Sequence, residues 1–251
     1  MSRNKWSSFS LMMLLMLFLA GLFLVLYPSI QGAVVDRRMG WEADSFLARL
    51  EDDLDKDIST VIISSTEPEE SRPYPELWDS ATAYNQQIHI DGQSTLSEAG
   101  AYQATLFSLT DYGLPDETFG VISIPKLNLE MPLYLGATDE NMANGAAVLS
   151  ETSIPIGGTN TNAVIAGHRG WGGASYFRYI TDLTVGDEVI ITNLWETMHY
   201  RVVGTKIIEP HEIENILIQP GRDMITLLTC HPYASGGTQR YIVFCKRAAS
   251  T

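Results

Sequence analysis

Cysteine is scarce in this chain, with only Cys230 and Cys245 among 251 residues. Two thiols are too few for a disulfide framework, so they do not reveal the compartment. Basic residues are also few: 16 Lys and Arg against 30 Asp and Glu leave a net charge of -14. A polyanion would be repelled, which argues against nucleic acid as a partner. No GxxxxGK[ST] pattern is present, so the pairs Gly157-Gly158 and Gly172-Gly173 read as turn chemistry and not as phosphate cradles. No ligand spacing suggests zinc, and no cofactor or metal is assigned. What remains is a chain with 45% apolar residues and a mean hydropathy of +0.01, able to bury a sizeable core as one domain with appendages.

There is one long apolar run. From Phe9 to Tyr27 it is broken only by Ser10 and Gly21, about the length that crosses a hydrocarbon core as a helix. Arg3 and Lys5 precede it, so residues 1–8 are expected in the cytoplasm and the remainder outside. A cleaved signal peptide competes with a retained anchor over residues 9–27. The anchor is favoured because the run exceeds a usual h-region and Ser29 to Ala33 makes a poor cleavage site. Residues 28–118 read as a helical and linker extension. Val35, Met39, Ala43, Phe46, Leu50 and Leu54 mark one helical face, on a helix that either lies on the main domain or forms a stalk. Asp52 to Pro75 has the acidic, Ser- and Pro-containing composition of a solvated linker. Leu77, Ala81, Tyr84 and Ile88 mark a second helix, and Leu96 to Leu109 is expected to hold a third.

Residues 119–247 alternate short apolar runs with Gly, Pro, Asn and Asp turns. Gly120–Ile124, Leu127–Leu135, Asn162–Ala166, Glu188–Thr192, Met198–Ile208, Met224–Cys230 and Arg240–Cys245 read as strands. Many short strands with brief helical insertions predict a mainly β fold, a closed barrel of seven or eight strands, since closure removes exposed edges. Glu209 to Gly221 would be a long connection beside the strand ending in Cys230.

The chemistry gathers near the C-terminus. Thr226-Leu227-Leu228-Thr229-Cys230 ends an apolar strand in a thiol, a loop with Gly236 and Gly237 turns the chain, and the next strand opens on Arg240. Alternation aligns Arg240 with Ile242 and Phe244 and turns Cys245 to the opposite face, so the cysteines are not expected to pair. A nucleophilic thiol needs a base and a group that steadies a developing oxyanion. Upstream, Asn162 to Ala166 reads as a buried strand ending in Gly167-His168-Arg169-Gly170.

Together the TLxTC pentapeptide, the upstream His and the downstream Arg resemble the sortases, cell-wall cysteine transpeptidases of Gram-positive bacteria. The likeness covers roughly Phe119 to Arg247. It implies a sortase-type barrel, with Cys230 as nucleophile, His168 as acid and base, Arg240 at the oxyanion or the bound peptide, and Thr229 against the substrate. It implies substrates that are surface proteins or pilins with an LPXTG-like C-terminal signal. The acyl group would pass to an amine from a pilin Lys or a peptidoglycan cross-bridge, outside a Gram-positive cell membrane.

The long extension, Ala83-Tyr84-Asn85, and Ile122 to Gly136 resemble the class C, pilin-polymerising enzymes. Two departures stand against that. No Asp-Pro-aromatic lid tripeptide occurs, and no second apolar span follows the barrel. Trp78-Asp79 offers an improvised lid, although a packed amphipathic helix is the better reading of that stretch. Duller readings apply elsewhere: Cys245 as a buried hydrophobe, and His89, His199, His211 and His231 as ordinary histidines. A strand former at Thr229 and a surface guanidinium at Arg169 belong with them. His231 is the strongest rival to His168, but its side chain should point away from its neighbour's thiol. The other classes open to the chain are a different cysteine acyl transferase or peptidase and a non-catalytic wall-associated scaffold. The Ser-His-Gly-Cys motif of L,D-transpeptidases is missing.

Overall fold

A computed structural model describes residues 3–63, 72–100, 107–234 and 236–249. Eight strands close into one barrel: β1 (Thr118–Ile124), β2 (Leu129–Leu135), β3 (Ala146–Val148), β4 (Thr161–Ala166), β5 (Glu188–Asn193), β6 (Thr197–Ile208), β7 (Asp223–His231) and β8 (Gln239–Arg247). Their order around the wall is β1-β2-β3-β4-β7-β8-β6-β5. β2 with β3 and β4 with β7 are parallel, and the other neighbours are antiparallel.

Alternation sorts the side chains of the wall onto two faces. Ala163 and Ile165 of β4, Ile225 and Leu227 of β7, and Val243 and Cys245 of β8 fill the main core inside the barrel. The intervening Val164, Ala166, Leu228 and Ile242 join a second apolar layer with Ile208, Ile216, Leu96 and Ala99 on the outer side of the same strands. This wall is apolar on both faces, which is why its strands read as continuous hydrophobic runs.

Helix α1 runs unbroken from Arg3 to Ile63 with Pro28 inside it. The expected span and the expected amphipathic helix are therefore one rod. Its apolar residues from Phe9 to Tyr27 are exposed. Beyond them Gly32, Met39, Ala43 and Phe46 are buried at helical spacing, the last three in the main core, so this part of the helix lies on the barrel. Arg49 pairs with Asp116 at 2.5 Å ahead of β1. The linker expected over Asp52 to Pro75 is in part a continuation of α1, and residues 64–71 lie outside the described residues.

Helix α2 spans Pro75–Ile90 and buries Leu77, Ala81 and Asn85. Ile88 is only partly buried, and the amide of Asn85 takes the inner position instead. Its Nδ2 donates to the Ile154 carbonyl at 2.9 Å and its Oδ1 accepts from the Ile154 N–H at 2.7 Å, satisfying a buried loop backbone. The third helix expected over Leu96 to Leu109 is not present in the described residues 96–100, which run without helical structure, and 101–106 lie outside the described residues. Leu127 closes a 3-10 turn instead of opening a strand. β3 went unread because Ala146-Ala147-Val148 is short and buried on both sides, with no alternation to betray it.

Replacing Asn85 by Ala strands both groups of Ile154 at about 1–3 kcal/mol each. The Asn85→Ala variant is expected to unfold at clearly lower urea concentration in detergent, and an unchanged midpoint would show that this clamp contributes nothing.

Candidate functional site

β4 and β7 run parallel with Ala166 opposite Leu228, so their C-terminal ends share one rim of the barrel. The rim is tied by the Gly167 N–H, which donates to the Leu228 carbonyl at 3.0 Å. The Thr229 hydroxyl donates to the Gly167 carbonyl at 2.7 Å, and Thr229 is fully buried. Its hydroxyl holds the joint between the two strands that carry His168 and Cys230.

Cys230 faces Arg240 directly across the β7–β8 ladder. Directly opposite residues project to the same side of a sheet, and here it is the outer side, since Leu228 and Ile242 next along both strands belong to the outer layer. The Cys230 thiol is exposed, whereas Cys245 is buried inside the barrel, where burial pushes its thiol far up. The room beside Sγ depends on Gly237. It adopts φ 73°, and a Cβ there would stand 2.9 Å from the sulfur.

The Arg240 guanidinium is part-buried and fixed at both ends. Nη1 donates to the Gly237 carbonyl at 2.6 Å, and Nε donates to the Ala99 carbonyl at 2.8 Å. Ala99 belongs to the extension. Its N–H donates to the Pro210 carbonyl at 2.7 Å, and Leu96 and Ala99 are buried in one apolar cluster with Leu228, Ile242, Ile208 and Ile216. The connection from Glu209 to Gly221 thus forms one bank of a groove whose floor is the outer face of β7 and β8, and Leu96 to Ala99 lies in it. No signal in the sequence marks this segment, because it contributes a backbone carbonyl and two ordinary apolar side chains.

His168 comes two residues after the end of β4. Its ring stacks on Trp171 with centroids 5.3 Å apart and meets the edge of Tyr176 at 5.5 Å. Burial holds its pKa below the ordinary 6.5, with Asp139 pulling weakly the other way, so the imidazole is neutral at pH 7. His231 goes elsewhere. Its Nδ1 accepts from Arg169 Nη1 at 2.5 Å, and burial and then that cation lower its pKa. Arg169 is accordingly a clamp on the end of β7 and not a free surface charge.

Trp78 and Asp79 are remote from this rim. Trp78 packs edge-on against Trp195 at 5.0 Å and helps line a cleft of about 430 Å³ with Gly157 to Thr161, by the opposite end of β4. That cleft holds neither cysteine. Among the described residues no three His, Cys, Asp or Glu side chains come together as a metal site.

Comparisons with known proteins give the family. A Sortase domain family model matches residues 122–248, just over half the chain, and the chain belongs to the sortase family. It is 28% identical over 130 residues to sortase D of Bacillus subtilis (strain 168). The shared stretch takes in 51% of this chain and 63% of that relative, less than two thirds of its length. Among solved structures it is similar to the lid mutant of Streptococcus agalactiae sortase C1, at 31% identity and a TM-score of 0.62 over 71% of this chain and 90% of that one. The pilus-related sortase C of Group B Streptococcus gives 29% identity and a TM-score of 0.61 over 72% and 92%.

Because its proton affinity is lower folded than unfolded, His168 contributes stability above pH 6.5 that is lost as pH falls through its lowered value. Its C–H resonances are expected to titrate below 6.5, and Trp171→Ala, which uncovers the ring, to move the midpoint up toward 6.5. A native midpoint at or above 6.5 would contradict a buried, neutral imidazole.

Proposed function

We propose that this chain is a cysteine transpeptidase of the sortase type, with residues 119–247 as the catalytic barrel and 28–118 as an extension. In this reading residues 9–27 anchor it by a single pass, with the barrel outside the cell. The observation that carries the reading is the cross-strand pair of an exposed thiol and a fixed guanidinium on the same wall as a half-buried imidazole.

The Cys230 thiol passes its proton to neutral His168, and the thiolate attacks the carbonyl carbon of a scissile peptide bond. As the C–S bond forms, Arg240 donates to the oxygen that gains negative charge. The C–N bond then breaks and the imidazolium gives its proton to the departing amine, leaving a thioester. A second amine attacks the thioester, its proton returns through His168, and the thiolate leaves. The substrate class is a surface protein or pilin with an LPXTG-like signal, and the amine comes from a pilin Lys or a peptidoglycan cross-bridge. Likeness to a pilus-related sortase C supports the pilin. Thr229 contributes by holding the rim beneath the substrate.

Ala99 stands in the way of this chemistry. Its carbonyl occupies the Arg240 Nε–H, a donor suited to a substrate carbonyl. The groove filled by Leu96 and Ala99 is the natural bed for an extended peptide, so the segment acts as a lid that leaves before the substrate enters. The similar S. agalactiae protein was solved as a lid mutant.

Incubation with a sorting-signal peptide is expected to leave an acyl mass on Cys230 that a supplied amine discharges. Cys230→Ala abolishes the adduct, and Leu96→Asp, which removes the lid's apolar hold, speeds its formation. An acyl mass on Cys245, or none on either thiol in the Leu96→Asp protein, would overturn the proposal.

A further inference from the structure

The loop that carries the candidate imidazole is also the part of the barrel that touches α1 nearest its apolar run. Gly173 lies against Pro28 and Gly32 so closely that a Cβ on either glycine would collide with backbone across the contact. Two residues on, the Ser175 N–H and hydroxyl donate to the Asp36 carboxylate at 2.9 and 3.0 Å. The rod and the rim are therefore fixed to each other at two points of the loop.

The apolar run from Phe9 to Tyr27 is matched to a hydrocarbon core of about 30 Å, which leaves Tyr27 at its outer edge. Gly32 is then about 7 Å further along the axis, within or just above the headgroup layer. The loop bound to Pro28 and Gly32 must sit at the same height.

That loop presents an unusual surface. Trp171 is 57% exposed and Tyr179 47%, and Tyr233 from the β7–β8 turn beside them is 48% exposed. Arg178 lies between the two tyrosines, its guanidinium carbon 5.6 Å from one ring centroid and 4.7 Å from the other. Amphipathic aromatic rings with a cation among them are the composition of a membrane-interface belt, the rings suited to the headgroup boundary and the guanidinium to lipid phosphate.

We propose that Trp171, Arg178, Tyr179 and Tyr233 form a lip that rests in the headgroup layer of the membrane that α1 spans, so that the His168 and Cys230 rim opens at the lipid surface. The inference rests on the single-pass anchor proposed above. A peptide reaching the thiol must then carry its scissile bond close to the bilayer.

The test uses the full chain carrying Trp6→Phe, reconstituted in phospholipid vesicles with or without lipids brominated high on the acyl chain. Emission removed by Trp171→Phe should be strongly quenched by the brominated lipid. Emission removed by Trp41→Phe, on the helix about 21 Å beyond Tyr27, should not. If the protein floats with the vesicles but the Trp171 emission is unquenched, the lip is wrong while the anchor stands. If a sorting-signal peptide then changes that emission, the ring belongs to a substrate surface instead. If the protein does not float with the vesicles, the anchor fails and the lip falls with it.

Discussion

The candidate site depends on one constraint, the pairing of β7 with a parallel neighbour on one side and an antiparallel neighbour on the other. Parallel pairing with β4 brings two strand ends to one rim, and the antiparallel return of β8 sets Arg240 opposite Cys230. The two-residue period of a strand does the rest: with a barrel interior filled by Leu227, Val243 and Cys245, residues 230 and 240 have only the outer face left to them. A slip of one residue in either ladder would turn the thiol into the barrel interior and bring its neighbours to the outer face. The same packing energy that stabilises the barrel therefore specifies the placement of the chemistry.

Outside that wall, the extension supplies the site's environment. Helix α1 buries Met39, Ala43 and Phe46 where it lies on β1 and β2 of the barrel and ties Asp36 to the loop after His168. Leu96 and Ala99 occupy the groove on the outer face and take a donor from Arg240. Parts of the chain that contribute nothing to the thiol's reactivity thus determine what can approach it and from where.

How much of this was legible follows from where the information resides. Strands with alternating or continuous apolar residues were readable, and so was the separation of Cys230 from Cys245, because both rest on a side-chain period. The pairing of Cys230 with Arg240 across one ladder was readable from the strand ends and the turn between them, whereas the grouping of His168 with them rests on resemblance to the sortases. β3 was not, being three small buried residues without a period. The continuity of α1 through Pro28 was not, since the apolar run and the amphipathic face look like separate segments and proline is tolerated inside a membrane helix. The groove segment was read as helix from Leu96 onward. Its actual role comes from a backbone carbonyl, which no residue type announces. Asn85 was noticed only as part of a resembling motif, and its burial depends on a loop remote in sequence.

The most direct measurement of the central claim is the alkylation rate of Cys230 by a small neutral reagent at neutral pH, in the native protein and in His168→Ala and Arg240→Ala. If the three side chains share one outer face and interact there, each substitution changes the rate at Cys230 while Cys245 stays unmodified until the protein unfolds. Rates at Cys230 indifferent to both substitutions, or labelling of Cys245 in the folded chain, would contradict the account.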